Sequence, residues 1–338
     1  MRVTTIHGPR DVRLEERPTP TVRRPTGAVV RVTAGCICGS DLWPYRGDDE
    51  TREPRLIGHE AVGVVEEVGD EVRSFAPGDF VVVPFCHCDN TCDVCRKGMQ
   101  AACRNLGVTE GAQGEYVGVD QAEGSLVKVP EQPSRSDLPS LLALSDVMPT
   151  GWHAAVSAQV TTGDTVVVVG DGAVGLCGVI AARELGAERI IALSRHAPRQ
   201  ELARKFGATH VVAERGEAAW DAVLEITSGL GADAALECVG TKESMRTALR
   251  STRAGGHLGF VGVPHGAELP IRVMFGRNIG VAGGMAPVRK YLPQLLDLTL
   301  SGRIDAGPVF DLTLPLEQVE EGYLAMDERR AVKVLLEP

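Results

Sequence analysis

Five of the nine cysteines lie between residues 86 and 103, in the run C-H-C-D-N-T-C-D-V-C-R-K-G-M-Q-A-A-C. The last three keep a regular spacing, Cys92-x₂-Cys95-x₇-Cys103. The same beat carried one step back falls on Asp89, with Cys88 beside it. Such a cluster is open to three readings: a metal site, redox chemistry, or chance. Clustered thiols in a reducing compartment serve mainly as metal ligands, because disulfides do not persist there. The beat names Cys92, Cys95 and Cys103 as ligands. Position one is contested between Asp89, which fits the spacing, and Cys88, which fits the preference of a closed zinc site for thiolates. Cys86 and His87 fit less well.

Three other segments hold isolated metal-ligand types. C-I-C-G-S-D supplies Cys36, Cys38, Ser40 and Asp41. L-I-G-H-E-A supplies His59 and Glu60, and A-L-S-D-V-M supplies Asp146. Taken singly, each has an ordinary structural reading, since a lone buried Cys behaves as a small hydrophobe. A further motif concerns phosphate. Gly170-Asp171-Gly172-Ala173-Val174-Gly175 directly follows the apolar run D-T-V-V-V-V and opens a helical pattern. In that context the glycines allow a tight turn and a close backbone approach to a pyrophosphate. Ala173, Val174 and Gly175 begin the helix whose free N–H groups face it. About twenty residues on, where an NAD site carries a ribose-binding carboxylate, the chain reads A-L-S-R-H-A-P-R. Ser194 and Arg195 occupy that point, with Arg199 in reach. A hydroxyl and a guanidinium suit the 2′-phosphate of NADP. Lys333, near the C-terminus, is expected among the cofactor-binding residues.

The elements that must hold these groups divide the chain. Up to about residue 145, short β-branched runs such as G-A-V-V-R-V-T-A and D-F-V-V-V-P-F alternate with Gly, Pro and Asp, which predicts a strand-and-turn region. From about 164, apolar strands alternate with helical patterns through N-I-G-V-A-G-G. That alternation predicts α/β architecture, a parallel sheet with helices on both faces. Two further helical patterns and the strand A-V-K-V-L-L-E-P close the chain. With 338 residues, two domains are expected. The net charge of −10 disfavours nucleic-acid or anionic-membrane partners, and no apolar stretch reaches membrane-spanning length. With no apolar signal core at the start, the expected location is the cytoplasm.

In order along nearly the whole chain, G-C-I-C-G-S-D, G-H-E-A-V-G-V-V, the cysteine lobe, Asp146 and G-D-G-A-V-G resemble the zinc-dependent medium-chain alcohol dehydrogenases. The resemblance implies a mainly β, GroES-like catalytic domain over 1–147 and 286–338, with its zinc lobe at 86–103. It implies a Rossmann-type dinucleotide-binding domain over 148–285. Cys38, His59 and Asp146 would bind a catalytic zinc, with Glu60 as a ligand able to approach and withdraw. Asp41 would orient His59, Ser40 would carry the alcohol proton, and Cys36 has no matching role. Trp43 stands where the family commonly has the histidine that ends its proton relay. Trp43 and Met148 are expected in the substrate pocket. The lobe would hold a second, structural zinc. The implied activity is hydride transfer between NADP(H) and an alcohol/carbonyl pair, in a homodimer or homotetramer. The alternatives are a zinc-free quinone or enone reductase of the same fold and a non-catalytic dinucleotide sensor. Neither needs Cys38, His59 and Asp146 together.

Overall fold

A computed structural model describes residues 1–49 and 54–338. The chain forms two compact units, Met1–Asp146 with Pro287–Pro338, and Val147–Ala286. No helix among the described residues is long and apolar enough to cross a membrane.

The first unit is built on a seven-stranded sheet. Its order runs Val127–Lys128, Phe80–Val83, Ala61–Val68, Ala28–Cys36, Lys333–Glu337, Phe310–Pro315, with Tyr116–Val119 also paired to Ala28–Cys36. Val30, Val65, Val81, Val83 and Val117 bury their branched side chains together inside it. Such residues fit a pleated, enclosed surface because their χ1 is already restricted. The strand Lys333–Glu337 enters from the far end of the sequence and pairs Leu335 with Cys36 in antiparallel register. That pairing delivers Lys333 to the segment that carries Cys38. A second apolar cluster includes Ile37, Leu42, Tyr45, Leu316, Tyr323 and Val334, so the chain around Cys38 is anchored on both sides.

On the surface of that cluster, Asp327 closes the helix Val319–Asp327 and accepts from Arg46 at 2.7 Å and Arg10 at 2.9 Å. The Arg46 hydrogen bond is the main cause that holds its carboxyl below the ordinary range. A carboxyl with a depressed folded pKa adds stability above its unfolded pKa, about 3.9, and loses it as pH falls through the folded value. Asp327→Asn should therefore lower stability at pH 7 by a few tenths to about 1 kcal/mol, since both arginines are partly solvated. The gap in thermal midpoint between wild type and variant should shrink as pH drops below about 4. A gap that stays constant down to pH 3 would show that Asp327 contributes by packing and not by charge.

The second unit is a six-stranded parallel sheet in the order His210–Val212, Arg189–Leu193, Thr165–Val169, Ala232–Glu237, Thr252–Phe260, Gly280–Gly283. This order is that of a doubly wound dinucleotide-binding sheet, whose ligands lie at the carboxyl ends of the strands where the order reverses. The α/β class expected from the alternating pattern is the class observed. The helix Gly216–Ile226 links parallel strands, a connection that requires a crossover element. Ile271–Arg277 buries none of its residues, so it leaves no amphipathic signature to read.

Candidate functional site

Cys38 follows directly on the strand Ala28–Cys36 and Ile37. It caps a single 3₁₀ turn, Gly39–Asp41, with the Asp41 N–H donating back to its carbonyl at 3.1 Å. Asp41 reciprocates, its Oδ2 accepting from the Cys38 N–H at 2.9 Å. The G-S-D after the cysteine is thus a turn that aims one thiol and one carboxylate. His59 and Glu60 precede the strand Ala61–Val68. Gly58 must be glycine twice over: its φ is +92°, and a Cβ there would meet the Gln113 side chain at 2.4 Å. Asp146 ends the segment after the helix Leu138–Ala143, held by the Phe85 N–H donating to Ser145 O at 3.1 Å.

These segments bring Cys38, His59, Glu60 and Asp146 together, with one ligand atom from each within 4.8 Å of the others. Asp146 Oδ2 is 3.5 Å from His59 Nε2 and 3.7 Å from Cys38 Sγ. His59 Nδ1 faces Asp41 Oδ1 at 3.6 Å, which leaves Nε2 toward the cluster. Burial alone would favour neutral His59, yet the charge of Asp41 and the Cys38 and Asp146 groups raise its pKa well above the usual value. Burial raises Cys38 and Glu60, and Glu60 and Asp146 raise Cys38 further. Glu60 Oε2 is buried with no hydrogen-bond partner. A thiol, an imidazole and two carboxylates crowded in this way, one with an orphaned oxygen, are a donor set that suits zinc.

Three residues of this centre carry no signal in the short motifs. Lys333 Nζ donates to Glu60 Oε1 at 2.7 Å and to Ile37 O at 3.3 Å, with Lys333 only 1% exposed. The amine expected for cofactor binding is therefore directed at Glu60. Gln113 Nε2 donates to Asp41 Oδ2 at 2.9 Å and to Cys36 O at 3.2 Å, while Tyr323 O–H donates to Gln113 Oε1 at 3.1 Å. This chain of buried bonds holds the carboxylate that faces His59. Cys36 itself is buried, and its carbonyl serves the same network. Ser40 and Trp43 are part-exposed on the turn and the short helix beside Cys38. Met148 is fully buried in the helix Val147–Ser157 of the second unit.

In the lobe, Asp89, Cys92, Cys95 and Cys103 converge within the same 4.8 Å limit. Backbone N–H groups point at the sulfurs: Asp89 and Asn105 donate to Cys103 Sγ at 3.4 and 3.3 Å, and Cys95 donates to Cys92 Sγ at 3.5 Å. Asp89 accepts from the Thr91 and Cys92 N–H groups and from Asn105 Nδ2. Burial works against its ionisation, but those bonds pull its pKa well below the carboxylate range. Cys88 packs beside Cys95 and Cys103 but is not one of the four converging groups, its thiol donating to Gly124 O at 3.1 Å, and burial pushes it up to about 11. Cys86 is buried and pushed up to about 12, and the buried His87 is bonded to Thr109 at 2.8 Å.

In the second unit, Gly172 caps the helix Ala173–Glu184, so the N–H groups of the Ala173-Val174-Gly175 turn open toward the strand end. Gly175 is required by close packing, since a Cβ would meet Gly170 O at 2.0 Å. Ser194 is buried, Arg195 is exposed, and Arg199 is partly buried. Asp171, passed over among the glycines, accepts from Ser194 Oγ at 2.9 Å and lies 3.3 Å from Arg199 Nη1.

Residues 24–131 match the alcohol dehydrogenase GroES-like domain family, and residues 173–301 match the zinc-binding dehydrogenase family. A probable zinc-binding alcohol dehydrogenase of Mycobacterium tuberculosis is 37% identical over 331 residues, covering 96% of this chain and 84% of that protein. The NADP-dependent isopropanol dehydrogenase of Thermoanaerobacter brockii is 33% identical over 330 residues, covering 93% of this chain and 92% of its own. Among solved structures, the alcohol dehydrogenase TADH from Thermus sp. ATN1 superposes with a TM-score of 0.92 at 33% identity, covering 100% of this chain and 99% of its own.

Proposed function

The chain belongs to the zinc-dependent medium-chain alcohol dehydrogenase family and is an oxidoreductase; we propose that it transfers a hydride between an alcohol/carbonyl pair and NADP(H). The observation that carries this reading is the convergence of Cys38, His59, Glu60 and Asp146 within 4.8 Å. A zinc ion held by Cys38, His59 and Asp146, with Glu60 in reserve, would supply a Lewis acid that acidifies an alcohol hydroxyl or polarises a carbonyl. A nicotinamide dinucleotide seated on the 170–175 turn would supply the hydride carrier.

The chain's own residues do the positioning and the proton handling. Asp41 orients the His59 ring from 3.6 Å at Nδ1, so that Nε2 would present its lone pair once a metal displaces the proton there. Lys333 neutralises Glu60 and holds it at 2.7 Å, which keeps that carboxylate in place beside the other donors. Ser40 receives the alcohol proton and passes it toward solvent, which its part-exposed position allows. Trp43 contributes an indole wall near that exit in place of a second proton carrier. The lobe residues Asp89, Cys92, Cys95 and Cys103 would hold a second, structural zinc with all four positions filled by protein. A homodimer or homotetramer is part of the same reading.

NADP preference is supported by Ser194, Arg195 and Arg199 at the end of the second strand, and by the cofactor named for the Thermoanaerobacter relative. A charge-assisted hydrogen bond to a 2′-phosphate is worth roughly 1.5–3 kcal/mol, or roughly 10- to 150-fold. The test is a panel of alcohols, polyols and aldehydes with NADP(H) and NAD(H), read at the nicotinamide absorbance band, together with metal content. The expected result is about two zinc per chain and kcat/KM at least about tenfold higher with NADP(H). Arg195→Ala should weaken NADPH and leave NADH nearly unchanged. A metal-free protein that reduces quinones or enones would overturn the reading. Equal or better turnover with NADH would overturn the NADP part of it.

A further inference from the structure

Position 194 carries a serine where an NAD-type ribose site has a carboxylate. Tertiary structure supplies a carboxylate to that point from elsewhere. The strands Thr165–Val169 and Arg189–Leu193 pair in parallel with Val169 level with Leu193. The two turns that follow therefore leave the sheet side by side, one carrying Asp171 and the other Ser194. Asp171 Oδ2 accepts from Ser194 Oγ at 2.9 Å. Asp171 Oδ1 and its carbonyl O lie 3.3 and 3.4 Å from Arg199 Nη1. Gln200 Nε2 donates to Ser194 O at 2.7 Å and pins the second turn. Ser194 is 3% exposed, and the Asp171 and Arg199 side chains are 19% and 13% exposed, so these charges interact with limited screening by water.

We propose that Asp171 is a specificity-determining residue: its carboxylate competes with a 2′-phosphate for Ser194 and Arg199 and offers an acceptor to a free ribose hydroxyl. This rests on the reading of Ser194, Arg195 and Arg199 as the 2′-phosphate site and adds the element that moderates it. The hydroxyl of Ser194 has one proton, and Asp171 already takes it. Arg199 has its charge offset by the same carboxylate. A phosphate dianion arriving there meets a like charge and must share both partners. A 2′-hydroxyl meets only an acceptor. Discrimination between the two cofactors is thus a difference of two opposed terms, one from the arginines and one from Asp171. The G-x-G-x-x-G pattern leaves its second position open, so the phosphate-binding turn itself does not require an aspartate there.

The test uses the full-length protein and two fragments, adenosine 2′,5′-bisphosphate and 5′-AMP, titrated by calorimetry so that no turnover is needed. Asp171→Asn keeps the size of the side chain and its acceptor for Ser194 while removing the charge. The expected result is bisphosphate binding tighter by about tenfold, with 5′-AMP unchanged or weaker. In an Arg199→Gln background, the gain from Asp171→Asn should fall to less than half, because the arginine it released is gone. A ratio of bisphosphate to 5′-AMP affinity that Asp171→Asn leaves unchanged, or moves toward 5′-AMP, overturns the proposal. Should Asp171→Asn fail to fold, Asp171→Ser reads the same ratio. Wild-type affinities test the underlying reading separately: tighter 5′-AMP than bisphosphate defeats NADP preference, whereas the direction of the Asp171→Asn shift decides the role of Asp171 in either case.

Discussion

Cys38→Ser or His59→Ala lowers kcat/KM for alcohol oxidation by at least about 10³-fold, while NADPH still binds with wild-type affinity. The size follows from the chemistry. A Lewis acid at the hydroxyl is worth several kcal/mol in the transition state, and each 1.36 kcal/mol is about tenfold in rate. The separation of effects follows from the geometry. Cys38, His59, Glu60 and Asp146 belong to the first compact unit, and the 170–175 turn belongs to the second. Three measurements check it together: steady-state kinetics, metal content after dialysis, and NADPH fluorescence titration. Each variant should lose one zinc per chain and keep its dinucleotide titration. Near-normal turnover in a variant shown to lack that zinc would remove catalytic zinc from the account. A companion variant, Asp41→Asn, should retain more activity than either, because Asp41 acts on the ring of His59 and not on substrate.

Cys95→Ser should strip the lobe of its metal and lower the thermal midpoint by about 10 °C, before any loss of chemistry per folded molecule. A closed four-ligand site contributes folding free energy directly, and 1 kcal/mol corresponds to about 2–4 °C in a unit of this size. Cys95 is buried, and its sulfur packs with Cys88 and Cys103, so the loss falls on a lobe with little other core. The same experiment decides the first ligand. Asp89 converges with the three cysteines and is held by three hydrogen-bond donors, whereas the Cys88 thiol is bonded to Gly124 O. Asp89→Asn should therefore loosen the metal and Cys88→Ser should leave it bound, as read by zinc release to a chromogenic chelator. The reverse outcome would assign the position to Cys88.

Along the chain, what was legible was whatever depends on neighbours a few residues apart. The beat of Cys92, Cys95 and Cys103 is a property of short chelate loops, and the glycines of 170–175 report one turn. The strand–helix alternation after residue 164 reports a parallel sheet because parallel strands need crossovers. For the catalytic centre, the motifs around Cys38, His59 and Asp146 each had an ordinary reading alone, and only their order along the chain, through a family resemblance, joined them. The helix Ile271–Arg277 is hard to read from the sequence because none of its residues is fully buried and only Met274 packs partly against the core, so it has no periodic face.

The sequence by itself determined the local turns, the alternation of elements and the kinds of donor atom available. Tertiary structure decided which distant groups share those sites. Lys333 reaches Glu60 because the last strand pairs with Ala28–Cys36 in one register, and a slip of one residue would turn its amine to the opposite face. Gln113 and Tyr323, 210 positions apart, meet behind Asp41 because the helix Val319–Asp327 packs Tyr323 into the apolar cluster that holds Ile37 and Leu42. Asp171 meets Ser194 only because Val169 lies level with Leu193 in the parallel sheet. Register is set by the packing of whole faces against one another, and no short stretch of residues contains that information.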